Sequence, residues 1–125
     1  PLTIAGSAWQ PLFVTPNHQS YTSGHSTFSS SAAALLAAYF GTDAMNFTLT
    51  GDGRTRDYAS FSAAAADAGM SRIYGGIHWQ FDNTSGLASG SQVGAYVFAN
   101  QLQVPAPSAL AALGLGTLIA TRRRR

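Results

Sequence analysis

Ser71-Arg72-Ile73-Tyr74-Gly75-Gly76-Ile77-His78-Trp79-Gln80-Phe81-Asp82 places a guanidinium, an imidazole and a carboxylate within one short stretch of a chain that is only 10% charged. Charge that concentrated on so sparsely charged a chain marks a site rather than a solvated face. Arg72 offers a planar fork of donors suited to two oxygens of a phosphate-like anion. His78 can serve as nucleophile, ligand or acid–base group near neutral pH. Asp82 stands four residues on, within reach along one helical face or across a short turn, where it can accept from the imidazole and fix its tautomer. Gly75 and Gly76 remove side chains where a backbone or an anion would approach closely.

Working outward, the Ala-rich run from about Tyr58 to Gly69, with Phe61 and Asp67, reads as a helix leading into this stretch. Thr84 to about Gln101 reads as a further Gly/Ala-rich helix carrying Leu87, Val93, Tyr96, Val97 and Phe98. Upstream, Phe28, Ala32, Leu35, Leu36 and Tyr39 recur at three- and four-residue spacing, which predicts a helix over Ser26–Phe40 with one apolar face, stopped by Gly41. Residues 41–57, with Gly41, Gly51 and Gly53, read as a loop. Its acids do not follow the alternating calcium-loop pattern. Residues 1–22, with Pro1, Pro11 and Pro16, read as an irregular approach segment in which Trp9, Leu12, Phe13 and Val14 line core or groove. The reading is therefore all-α.

A second cluster, Ser23-Gly24-His25, lies where the first free backbone N–H groups of the Ser26–Phe40 helix point outward. Such a terminus favours an anion through its donors and its dipole; equally, Ser23 or Ser26 can cap the helix while Gly24 makes the turn. With both clusters present, His25 is available as the proton donor that the His78–Asp82 pair lacks, and the two clusters point to one shared tetrahedral oxyanion.

Composition bounds the remaining options. The chain has 125 residues, 46% of them hydrophobic, with 13 Gly and no Cys, Lys or Glu. That is enough for one globular domain and excludes disulfides and thiolate metal sites. The formal charge of +2 is owed to Arg122–Arg125, so the body is slightly acidic and no nucleic-acid surface is expected.

These residues resemble the superfamily that unites type 2 phosphatidic acid phosphatases, bacterial acid phosphatases and vanadium-dependent haloperoxidases. Its signatures run K-x6-R-P, P-S-G-H and S-R-x5-H-x3-D. Ser71, Arg72, His78 and Asp82 match the third completely; Ser23, Gly24 and His25 match the second, with Thr22 in place of its Pro. The wording around both motifs looks most like the haloperoxidase branch, over roughly residues 9–100. The resemblance implies a helical bundle of the haloperoxidase and acid phosphatase type. It implies that His78 bonds to the vanadium of a vanadate cofactor, or to phosphorus as a phosphohistidine. His25 would be the acid–base group, Ser23, Gly24 and Arg72 would hold oxyanion oxygens, and Asp82 would orient His78. Substrates would be halide and hydrogen peroxide, or a phosphate monoester. The Lys and Arg of the first signature have no counterpart here, so the expectation is a C-terminal part of a longer enzyme, weak or inactive alone.

Residues 1–103 are expected to form the catalytic-domain part and 104–125 a sorting tail. Val104-Pro105-Ala106-Pro107-Ser108, an apolar stretch and Arg122–Arg125 resemble a PEP-CTERM signal, with Ala106 where Glu is usual. That implies export to the cell surface of a Gram-negative bacterium, exosortase as a partner, and transient membrane contact through residues 109–121; about a dozen apolar residues is short of the roughly 20 that span a bilayer. A surface-anchored module that keeps the fold without catalysis is the reading from another class.

Overall fold

A computed structural model describes residues 9–51 and 53–102. Ser23 opens the first helix: its side chain accepts from the Ser26 amide at 3.4 Å, and α1 runs Gly24–Phe40 until Gly41, at φ 72°, takes the left-handed turn that only glycine makes without strain. Helix α2 spans Phe61–Tyr74. Its first turn is capped twice, by Ser60 accepting from the Ala63 amide (3.0 Å) and by Asp43 accepting from the Ser62 amide (2.9 Å). Helix α3 spans Gln80–Gln101. The chain is thus the helical bundle expected, although α1 starts two residues early, α2 lies three to five residues further on, and α3 starts at Gln80.

The expected loop at 41–57 is in part a hairpin. Strands β1 (Phe47–Gly51) and β2 (Arg54–Tyr58) pair antiparallel, from Phe47 opposite Tyr58 to Gly51 opposite Arg54. Threonine and aromatic residues favour extended backbone enough to carry pairing through a Gly-rich turn. The hairpin is fastened by aromatic rings. Phe47 contacts Tyr58 and Phe61, and Phe61 stacks on Phe40, all at centroid separations of 5.6–5.9 Å. Arg56 and the Tyr58 hydroxyl both bond to Asp67 on α2.

The apolar face expected on α1 is not the buried one. Phe28, Leu36 and Tyr39 are exposed, while Ser26, Ser30 and Ala33 are buried. The reason lies on α3, whose buried face carries Gly86, Gly90 and Gly94. A methyl group at Gly86 would stand 2.8 Å from the Ser23 carbonyl oxygen, one at Gly90 would collide with the Thr27 carbonyl, and one at Gly94 with that of Ser31. Backbones this close leave room only for small side chains, and hydrogen bonds fill the seam: Ser23 N donates to Asp82 O (3.2 Å), Ser26 Oγ to Asn83 Oδ1 (2.7 Å) and Ser30 Oγ to Leu87 O (2.8 Å). Helix α2 joins through Gly69, where a Cβ would strike Asn83 Oδ1. Ala33 and Ala65 are the buried hydrophobic residues among those described.

Of the residues expected in core or groove, Trp9, Leu12 and Val14 are exposed, while Phe13, itself partly exposed, lines a groove with α1, α2 and the hairpin. Two of them still do structural work. The Phe13 ring lies against Gly75, where no Cβ would fit, and Trp9 lies against Gly76. Among the described residues no helix is long and apolar enough to cross a membrane; the sorting tail at 104–125, with its membrane-contact stretch 109–121, lies outside the described residues.

Candidate active site

The turn between α2 and α3 carries the site. Arg72 sits in the last turn of α2, Gly76 reverses the chain at φ 73°, and Phe13 N donates to the Gly75 carbonyl at 3.2 Å. His78 follows, buried, immediately before α3. Asp82, fully buried, is in the first turn of α3, where a carboxylate is favoured by the helix dipole. Its Oδ2 reaches back to accept from the Trp79 amide at 3.0 Å, which fixes the helix start. The same Oδ2 lies 3.3 Å from His78 Nδ1. The four-residue spacing therefore pairs these groups across a helix entrance, not along a helical face.

A residue that the sequence did not single out completes the pair. Ser20 Oγ donates to Asp82 Oδ2 and lies 3.5 Å from His78 Nδ1. Nearby, the His18 ring stacks on the His78 ring at 6.0 Å between centroids. Both come from the Pro-containing approach segment some 60 residues away, with no periodicity to betray them. With Nδ1 engaged, Nε2 of His78 has no partner among the described residues.

Ser23 is fully buried. It caps α1, its Oγ lies 2.9 Å from Ser26 Oγ, and its amide donates to Asp82 O. It joins the two helices at the site as well as bordering it. Gly24 begins α1, and its amide is among the free first-turn donors of that helix. His25, exposed at the same helix mouth, makes no hydrogen bond to His78, Asp82 or Arg72. Partial desolvation first, then the positive charge of Arg72, His78 and His18, holds its imidazole below the ordinary value. Arg72 extends over the Phe13 ring, with Cζ 5.5 Å from the centroid, and its buried Nε has no partner among the described residues.

For Asp82, burial pushes the carboxyl up, but the bonds from Ser20, the Trp79 amide and His78 outweigh it and hold the group below the usual carboxylate range. These bonds favour the carboxylate form of Asp82. Among the described residues no three His or acidic side chains cluster as a cation cage; around His78 and the α1 terminus the chain presents donors and positive charge. A groove of about 760 Å³ between α1, α2 and the hairpin lies elsewhere and includes neither His78, His25 nor Asp82.

A helical bundle seamed by small residues, with an aspartate-held histidine at a helix entrance, defines the class of fold. Residues 1–105 match the family model of the VCPO second helical-bundle domain. The chain belongs to the vanadium haloperoxidase superfamily. It is similar to a bacterial vanadium-dependent iodoperoxidase, with 36% identity and a TM-score of 0.67 over 71% of this chain and 22% of that one. It also shares the fold of a holo-type bacterial vanadium-dependent chloroperoxidase, with 20% identity and a TM-score of 0.63 over 74% of this chain and 23% of that one. The region matched is thus under a quarter of the length of these enzymes. No curated protein sequence matches the chain.

Proposed function

We propose that this chain supplies the oxyanion-binding and histidine-bearing part of a vanadium-dependent haloperoxidase, which oxidises halide with hydrogen peroxide. The observation that carries the reading is His78, engaged at Nδ1 by Asp82 and unpartnered at Nε2, beside the α1 terminus that the Ser23 amide ties to Asp82. The donor set fits vanadate: His78 Nε2 would be its protein ligand, and the Gly24 amide, Ser23 and Arg72 would hold its oxygens. When bound, vanadate would supply the Lewis-acidic centre that activates peroxide towards halide. Around it, Asp82 keeps the proton on His78 Nδ1, leaving the Nε2 lone pair to bond. His25, held below its ordinary value by partial desolvation and by Arg72, can take a proton from an approaching acid at an imidazole nitrogen. The similarity to an iodoperoxidase makes iodide the halide to try first.

Phosphate is the other tetrahedral oxyanion that these donors suit, and a phosphate monoester hydrolysed through a phosphohistidine at His78 is the competing reading. The test is to load the full-length protein with vanadate and follow iodide and bromide oxidation by peroxide, with hydrolysis of an aryl phosphate assayed in parallel without vanadate. Halide oxidation that is lost in His78→Ala supports the proposal. Ester hydrolysis alone, with vanadate acting only as inhibitor, would replace it with the phosphatase reading, and neither activity would favour a non-catalytic module.

We also propose that residues 104–125 form a sorting segment separate from the catalytic part at 1–103, recognised by an exosortase during export to the bacterial cell surface. Its support is the Val104–Ser108 motif, the apolar stretch and the Arg run. Mass spectrometry of the mature protein showing an intact Arg125 terminus after export would refute processing.

A further inference from the structure

We infer that Ser20 is a positioning residue for His78, setting its tautomer jointly with Asp82; the functional meaning of this rests on the proposed role of His78. Asp82 Oδ2 receives the Ser20 hydroxyl, the Trp79 amide at 3.0 Å and His78 Nδ1 at 3.3 Å, while the buried Oδ1 has no partner among the described residues. Three donors crowd one oxygen that has two lone pairs, and the histidine makes the longest of the three contacts. The carboxylate alone therefore gives His78 a weak bond.

Ser20 makes up the difference. Its single proton is committed to Asp82, so the face of Oγ turned towards His78, 3.5 Å from Nδ1, presents a lone pair and can only accept. His78 Nδ1 thus faces two acceptors, each at the long end of hydrogen bonding. A lone pair on Nδ1 would be repelled by both, so the proton resides there, and Nε2 keeps its lone pair. His18, two residues before Ser20, stacks on the same ring, so residues 18–20 brace it by one face and one edge.

The test reads the tautomer directly and needs no cofactor. With ¹⁵N-labelled histidine in the full chain, long-range ¹H–¹⁵N correlation at a pH where the ring is neutral distinguishes the two nitrogens of His78. In Ser20→Ala the Nδ1–H fraction should shrink, with the tautomer ratio moving about five-fold, the equivalent of one net hydrogen bond. Ser20→Thr, which retains a hydroxyl, should restore it. The Trp79 amide resonance reports whether the α3 entrance is still formed. An intact Trp79 signal with unchanged His78 nitrogen shifts in Ser20→Ala would overturn the inference, as would a Thr variant that behaves like Ala. If Ala disturbs the fold, Ser20→Cys, whose thiol is a poor acceptor, must shift the ratio in the same direction. Wild-type protein that fails to bind vanadate, together with a tautomer shift in Ser20→Ala, would defeat the proposed function and leave this inference standing.

Discussion

Gly90→Ala should destabilise the protein and disable its site, even though alanine is the better helix former. Gly90 lies in the middle of α3, where the exchange gains about 1 kcal/mol in helix propensity. Against that, the new methyl would collide with the Thr27 carbonyl oxygen and with Ser30 Oγ. The serine can rotate away, but the carbonyl belongs to the α1 backbone and can yield only if the helices separate. Overpacking of this kind costs about 1–3 kcal/mol, and a collision with backbone rather than side chain belongs at the upper end of that range, so the net loss should be about 2 kcal/mol by urea denaturation. Separation also moves His25, on α1, away from His78 at the entrance of α3, and a displacement near 1 Å can cost about 100-fold in rate. Adding Ser30→Ala should not rescue stability, because it leaves the carbonyl in place. Gly69→Ala offers a contrast, since its methyl would meet the side chains of Asn83 and Ser26, and Asn83→Ala should recover part of its loss. A Gly90→Ala protein as stable as wild type would refute the close packing of α1 on α3.

The remaining expectations concern charge and capping. Because the Asp82 carboxyl is held below the usual carboxylate range, its contribution is complete above that range and is lost as pH falls through the folded-state value; thermal melts taken into acid should show this decline, flattened in Asp82→Asn. Asp43→Ala removes an acceptor at the start of α2 and should cost about 1 kcal/mol in a denaturation midpoint, with a loss near zero refuting the cap. Arg56→Ala breaks an exposed ion pair and should leave the denaturation midpoint nearly unchanged; a clear drop would show that the hairpin bears on the fold beyond its aromatic seam.

Spacing made the His78–Asp82 pair legible, and side-chain pattern misplaced the core. His78 and Asp82 were visible as a pair because the chemistry requires an orienter within reach, and Ser23-Gly24-His25 because an anion needs a helix start. Ser20 was invisible: a serine among prolines has no periodicity, and only the fold carries it to the carboxylate. On α1 the helical period was readable, but the buried face was not, because apolar size marks the core only when helices pack side chain to side chain. Here glycine on α3 brings backbone to backbone, so the inward residues are Ser26, Ser30 and Ala33 while Phe28 and Tyr39 turn out. The hairpin escaped notice because the glycines at 51 and 53 outweighed the threonines beside them. In the alternation of Thr48, Thr50, Thr55 and Asp57 the strand signal was present.

The glycine ladder makes the site a matter of register. Gly86, Gly90 and Gly94 recur every fourth residue, so the nearest alternative seating of α3 on α1 is a slip of about 6 Å. Intermediate positions would put a side chain onto a carbonyl. Ser23 with Asp82, Ser26 with Asn83 and Ser30 with Leu87 act as an indexing pawl that selects one notch. The offset between His25 on α1 and His78 at the entrance of α3 is therefore set in discrete steps, and drift in the outward-facing side chains can proceed without changing it.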